Sequence, residues 1–205
     1  MDNDWVKTIL QMDLLDGIRH GVCVSNLTYL TANKLELDPD VSYELALAGM
    51  VHDIGKLRLS SYLYGRNSNG MFIEEMQYMR MHSELGYQIL KEHGFSDFIC
   101  EAVLYHHENY DGSGYPDNRK AEQIPIGARI IRVADSFAAL VSERPYREAF
   151  DFDTAIQIMV EDIKEYDMQV FLAFMDVIHD DKLLKKIKEN QSIIDYDMED
   201  LKIIL

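Results

Sequence analysis

Basic residues are scarce in this chain. Twenty lysines and arginines face 36 aspartates and glutamates, giving a formal net charge of −16. A field of that sign opposes non-specific binding to DNA, RNA or an anionic membrane. A small phosphate ligand stays compatible with it, because metal ions and a few local arginines reverse the potential inside a cleft. Cysteine is nearly absent as well. Cys23 and Cys100 stand far apart and form neither a disulfide framework nor a zinc-type spacing. With only four prolines and eleven glycines, long stretches of helical periodicity run uninterrupted. No apolar run reaches the length of a membrane span, and Met1-Asp2-Asn3-Asp4-Trp5 has no signal-peptide pattern. These absences set the first expectations: an all-α, cytoplasmic protein with no membrane, DNA or RNA partner. The 205 residues, 47% of them hydrophobic, suffice for one large domain with a buried core.

The helices are legible from periodicity and caps. Residues 1–12 read as a short lead-in in which Trp5 and Ile9 can pack, and a helix is predicted over roughly 13–34. Asp38 and Pro39 suit the N-cap and first position of a second helix. Its apolar stripe of Val41, Leu45 and Ala48 ends at His52. After Lys56 the pattern fades, and residues 57–72 read as a polar, glycine-bearing loop placed to act as a lid. A helix is expected from about Ile73 to the stop at Gly94. Another, capped by Ser96, carries Ile99, Val103, His106 and Tyr110 on one face. Ile124–Val141 follows, and the remainder is amphipathic helix without evident chemistry.

Histidine falls where core residues belong. Of the seven histidines, His20, His52, His82, His106 and His107 lie on or beside inward helix faces, with Asp16, Asp53 and Asp135 among them. Asp16 and His20 are one turn apart on one face. His93 and His179 instead sit at solvated helix ends, where a cation suits the dipole. A core burying five imidazoles and three carboxylates by themselves would be unstable, whereas a shared metal cluster satisfies all of them. The mixed nitrogen and oxygen donors suit iron, manganese or nickel better than structural zinc. Two further features are singular: the turn Asp111-Gly112-Ser113-Gly114-Tyr115-Pro116, and the cationic Arg144-Pro145-Tyr146-Arg147.

Taken in order, His20, His52-Asp53, His82, His106-His107 and Asp135 resemble the HD-domain metal-dependent phosphohydrolases. His52-Asp53-Ile54-Gly55-Lys56, His106-His107-Glu108, the Gly114-Tyr115-Pro116 turn and Arg144-Pro145-Tyr146-Arg147 resemble the HD-GYP branch, across about residues 14–175. The resemblance implies a single helical bundle at 13–190, a helical tail at 191–205, and a core metal site of two or three divalent ions, iron or manganese. It implies hydrolysis of cyclic di-GMP to linear pGpG, with further cleavage to GMP left open. By that likeness Asp53 bridges metals, and His20, His52, His82, His106, His107 and Asp135 are terminal ligands. Asp16 stands where the family often has a glutamate and would serve a third ion. Lys56 acts with Asp53 at the reacting phosphate, while Tyr115, Arg144 and Arg147 contact substrate.

Two departures from the family pattern are Ala138, where an aspartate is common, and the 57–72 loop. Other readings of the same residues are a catalytically weak module that binds cyclic di-GMP, and an HD phosphohydrolase acting on another cyclic dinucleotide or nucleotide. Sensory input is expected from a regulatory partner protein or a longer chain, and self-association into an oligomer stays open.

Overall fold

A computed structural model describes the backbone over residues 4–63, 79–142, 148–183 and 185, and side chains within these ranges from residue 15, leaving out 60–63. Eight α-helices run through this part: α1 Asp4–Lys34, α2 Pro39–Val51, α3 Lys56–Leu63, α4 His82–Glu92, α5 Asp97–Leu104, α6 Ile126–Leu140, α7 Phe152–Glu161 and α8 Met168–Ile178. Two short 3-10 turns, Ala121–Gln123 and Ile163–Glu165, join the later ones. No strand occurs among the described residues, as the all-α expectation requires.

Local chemistry sets most helix starts. The Asp38 carboxylate accepts from the Asp40 amide at 2.8 Å, with Pro39 at the first position. Ser96 Oγ accepts from the Ile99 amide, Asp151 from Thr154, and Asp167 from Gln169 and Val170. Each such cap satisfies an amide that has no partner within its helix. Gly94, with φ +76°, ends the segment after α4 as expected.

α1 is the spine of the bundle, packing against α2, α6 and α8, while α5 lies against α2, α4 and α6. Their shared interior is apolar. Leu27, Leu45, Val103, Ile131 and Phe174 are fully buried, each contributing about 1.5–3 kcal/mol relative to exposure. Phe174 meets the Phe137 ring edge-on at 5.3 Å between centroids. Cys23 and Cys100 are buried within this core and form no disulfide. None of the helices is long and apolar enough to cross a membrane among the described residues.

Four boundaries differ from expectation. α1 begins at Asp4, so residues 4–12 form its first turns. The chain after Lys56 is helical through Leu63, while 64–78, with most of the predicted lid and the start of the predicted 73–94 helix, lies outside the described residues. α5 stops at Leu104, before His106. α6 starts at Ile126, after Pro125 in extended backbone (φ −52°, ψ 141°); a proline with its residue before it resists helix continuation.

Candidate metal centre

Three histidines are held in the same way. His52 Nδ1 donates to the Gly49 carbonyl at 2.8 Å, His82 Nδ1 to Met79 at 2.5 Å and His106 Nδ1 to Val103 at 2.6 Å. In each case the acceptor lies three residues earlier. Two of these carbonyls belong to the last turns of α2 and α5, where no intrahelical amide reaches them. A carbonyl only accepts, so Nδ1 carries a hydrogen and Nε2 is the ring atom left facing the interior. That is the orientation in which metal-binding imidazoles are held by their surroundings. His93 and His179 make similar bonds, to Ile89 and Met175, but are exposed at helix ends as expected.

The Nε2 atoms converge. His82 Nε2 lies 3.2 Å from His106 Nε2 and 3.1 Å from His107 Nε2. His20 Nε2, from α1, contacts Asp135 Oδ1 of α6 at 2.9 Å, and His52 Nε2 is 3.6 Å from the same oxygen. Asp53 lies between the two ends. Its Oδ1 is 3.3 Å from His82 Nε2, and its Oδ2 is 3.4 Å from His52 Nε2 and 2.5 Å from Lys56 Nζ. Three donor triads result: His82 with His106 and His107; His20 with His52 and Asp135; and His52 with Asp53 and His106.

Hydrogen bonding inside the cluster is incomplete. His52 Nε2, Asp53 Oδ1 and His20 Nδ1 are buried without a hydrogen-bond partner. Unsatisfied buried polar atoms cost about 1–3 kcal/mol each, and the His82 and His106 lone pairs facing at 3.2 Å repel. A bound cation relieves both. The residues present therefore fit divalent metal ions.

The electrostatics say the same. Burial works against charge on His52, yet Asp53 and Asp135 outweigh it and hold its pKa up at about 9. Burial would raise Asp53, but the neighbouring His52 and Lys56 cations hold it well below the usual carboxylate range. Asp135 is likewise lowered, against burial, by its contacts with His20 and His52. Burial pushes His106 well down, helped by the surrounding imidazoles, and pushes His107 down to about 3. The carboxylates demand positive charge that most of the imidazoles cannot supply as protons.

Two glycines bring the parts together. A methyl group on Gly55 would lie 2.7 Å from the Gly86 nitrogen and 2.8 Å from the His82 carbonyl carbon. Only a bare glycine lets the His52-Asp53 turn sit this close to α4. Gly114 packs similarly on the backbone of residues 107–109, where a methyl would reach 2.5 Å from Glu108 Cα. Tyr115 then donates its amide to the His107 carbonyl at 3.1 Å and stacks its half-buried ring on His107, 4.8 Å between centroids. Burial, with Asp135 and Asp53 nearby, raises the Tyr115 phenol above its ordinary value, so it stays protonated.

Asp16 does not join the cluster. Its carboxylate, expected as a third-metal ligand, is 69% exposed and sits 3.5 Å from Arg19, on the outward side of α1. Arg144 and Arg147 lie outside the described residues. Ala138 is fully buried in the apolar core.

Sequence reasoning missed three side chains. Glu108 is fully buried and its carboxylate accepts from the amides of Asp117 at 2.7 Å and Arg119 at 3.0 Å, closing the loop that carries Tyr115. Arg132, one turn before Asp135, donates to Asn109, Ser136 and Glu165. Arg80 lies over the Tyr115 ring. Glu108 was visible only as part of the His-His-Glu block, and the arginines carried no local signal.

Comparison with known proteins places this geometry. The HD domain family is matched over residues 4–170. The chain is 37% identical over 135 residues to the cyclic di-GMP phosphodiesterase response regulator RpfG of Xanthomonas campestris, spanning 65% of this chain and 35% of that protein. It is 35% identical over 161 residues to the cyclic di-GMP phosphodiesterase PA4108 of Pseudomonas aeruginosa, with coverage of 78% and 38%. It is also 33% identical over 155 residues to 3′3′-cGAMP-specific phosphodiesterase 1 of Vibrio cholerae, covering 75% and 36%. The aligned part is thus little more than a third of each of these relatives. Among solved structures, the cyclic GMP-AMP phosphodiesterase V-cGAP3 of Vibrio cholerae superposes with a TM-score of 0.64 at 17% identity, over 90% of this chain and 52% of that one. Bd1817 of Bdellovibrio bacteriovorus gives 0.61 at 20%, over 78% and 51%. These two likenesses concern the fold.

Proposed function

Because the chain belongs to the HD-domain family, we propose that it is a metal-dependent phosphodiesterase that hydrolyses cyclic di-GMP to linear pGpG and onward to GMP. The observation that carries this reading is the set of inward Nε2 atoms with the Asp53 carboxylate between them, one oxygen toward each end. Within it, His20, His52 and Asp135 would hold one ion, and His82, His106 and His107 a second, with Asp53 a donor available to either. Two ions, iron or manganese, suit this nitrogen and oxygen set; Asp16, turned outward, takes no part. When bound, such a pair supplies water of lowered pKa and positive charge for the phosphodiester.

The chain's own residues do the rest. Gly49, Met79 and Val103 carbonyls accept from Nδ1 of three imidazoles and aim their Nε2 atoms inward. Lys56, held on Asp53, places an ammonium where charge grows on a phosphoryl oxygen. Tyr115, kept as a neutral phenol, can donate to a phosphate oxygen or present its ring to a base. Arg144 and Arg147 are assigned to substrate contacts by the motif alone. Cyclic di-GMP is favoured as the substrate because RpfG and PA4108 are named for it; 3′3′-cGAMP, named for a Vibrio cholerae relative, is the second reading.

The test is anaerobic purification with metal analysis, followed by product chromatography after incubation with each dinucleotide and manganese or ferrous iron. Linear product from wild type and none from His52→Ala or Asp53→Ala is expected. A metal-loaded wild type that binds cyclic di-GMP without cleaving it would replace the enzyme with a binding module.

A further inference from the structure

Nearly every described arginine is committed to a carboxylate. Arg19 contacts Asp16, Arg58 contacts Glu92, Arg119 contacts Asp117, Arg129 contacts Asp167 and Arg132 contacts Glu165. Lys56, the lysine at the cluster, is paired with Asp53. Arg80 is the exception. No carboxylate among the described residues accepts from it. Its guanidinium instead lies over the Tyr115 ring, 5.2 Å from the centroid.

Its position is specific. Arg80 is exposed, follows directly on the Met79 carbonyl that holds His82, and stands two residues before His82 itself. Tyr115 stacks on His107, whose Nε2 is 3.1 Å from His82 Nε2. Arg80, Tyr115 and His107 therefore form one continuous stack from solvent to the metal donors. An arginine lying on an aromatic face keeps its edge N–H donors available.

We propose that Arg80 is a substrate-binding residue that receives a phosphate of the cyclic dinucleotide at the mouth of the metal centre, with the Tyr115 ring holding its guanidinium in place. This rests on the phosphodiesterase reading above. The charge balance supports a phosphate rather than a base edge. The ligand carries anionic phosphates into a chain of net charge −16, and the cations of the cluster are partly offset by Asp53 and Asp135. Lys56 is paired with Asp53, so Arg80, with no acidic partner among the described residues, adds positive charge at the mouth that a phosphate takes up.

The experiment compares manganese-loaded wild type, Arg80→Ala and Arg80→Lys. Equilibrium binding is measured with a hydrolysis-resistant phosphorothioate analogue of cyclic di-GMP, and KM and kcat with cyclic di-GMP itself. Arg80→Ala is expected to keep its metal content and melting temperature. It should bind the analogue roughly ten- to a hundredfold more weakly, the range for a hydrogen bond to a charged group. KM should rise with little change in kcat. Arg80→Lys, which keeps the charge, should recover most of the lost affinity. Unchanged affinity in Arg80→Ala would overturn the assignment. A lysine variant as weak as the alanine one would also overturn it, because the planar fork at a guanine edge, not charge at a phosphate, would then be what matters. Wild type that holds manganese yet binds no analogue would instead bring down the functional reading, and this proposal with it.

Discussion

Two regions of this bundle exclude water equally and are built on opposite principles. Phe174 and His106 are both fully buried. Around Phe174 the neighbours are rings and aliphatic chains, Phe137 and Phe171 among them. Nothing there asks for a partner, since dispersion and water exclusion complete the packing. Around His106 the neighbours are imidazoles and carboxylates. The His52, His82 and His106 rings donate outward to backbone carbonyls, while His52 Nε2 and Asp53 Oδ1 are buried without a hydrogen-bond partner. Burial alone therefore says little about function. The convergence of imidazole and carboxylate donors on one point distinguishes this site from the core.

Substitutions can separate the two regions. The largest effect is expected from Phe174→Ala, which should cost about 3–5 kcal/mol in urea unfolding. The molecules that remain folded should still bind metal at the wild-type stoichiometry. If metal is lost in proportion to stability, the two regions are one cooperative unit and the contrast fails.

Metal removal attacks the other side. At free metal a hundredfold above its dissociation constant, binding stabilises the fold by about 2.7 kcal/mol. A chelator should lower the melting temperature of wild type and of Phe174→Ala alike, and leave Asp53→Ala almost unmoved. An Asp53→Ala protein that loses as much stability as wild type on chelation would mean the metal sits elsewhere.

Gly55→Ala tests the joint between the regions. The added methyl must displace the His82 backbone or the Gly86 amide, at a cost of about 1–3 kcal/mol for overpacking. Because the displaced backbone carries His82, metal content should fall more than stability does. Calorimetry paired with metal analysis would reveal an equal fall instead, which would make Gly55 a packing residue only. The smallest effect is expected at Asp16. Its exposed carboxylate on Arg19 predicts that Asp16→Asn changes neither metal content nor melting temperature. Loss of one equivalent of metal would restore it as a ligand.

Much of this was legible from the chain alone. Helices with strong caps, at Asp38, Ser96 and Gly94, were placed correctly because capping is local chemistry between residues two or three apart. The inward histidines were legible because helical period puts them on core stripes. Asp16 illustrates the limit: the four-residue spacing from His20 set both on one side of α1, but a helix side spans a wide arc. His20 reaches Asp135, while Asp16 reaches Arg19 and solvent. The end of α5 at Leu104 was missed for a related reason. The periodic pattern continues into His106, yet that residue takes its place from a turn and from its bond to Val103.

By itself the sequence determined the all-helical class, the inward placement of His20, His52, Asp53, His82, His106, His107 and Asp135, and the Gly114-Tyr115-Pro116 turn. Each depends on periodicity, caps or residue type within a short window. Only the tertiary structure decided which donors face one another, that Asp53 offers one oxygen to each end, that Asp16 turns away, and that Arg80 rests on Tyr115. Those relations join residues from separate helices, and their geometry is set by how closely backbones can approach, as at Gly55 on His82 and Gly114 on residues 107–109. Local patterns carry no information about such distances.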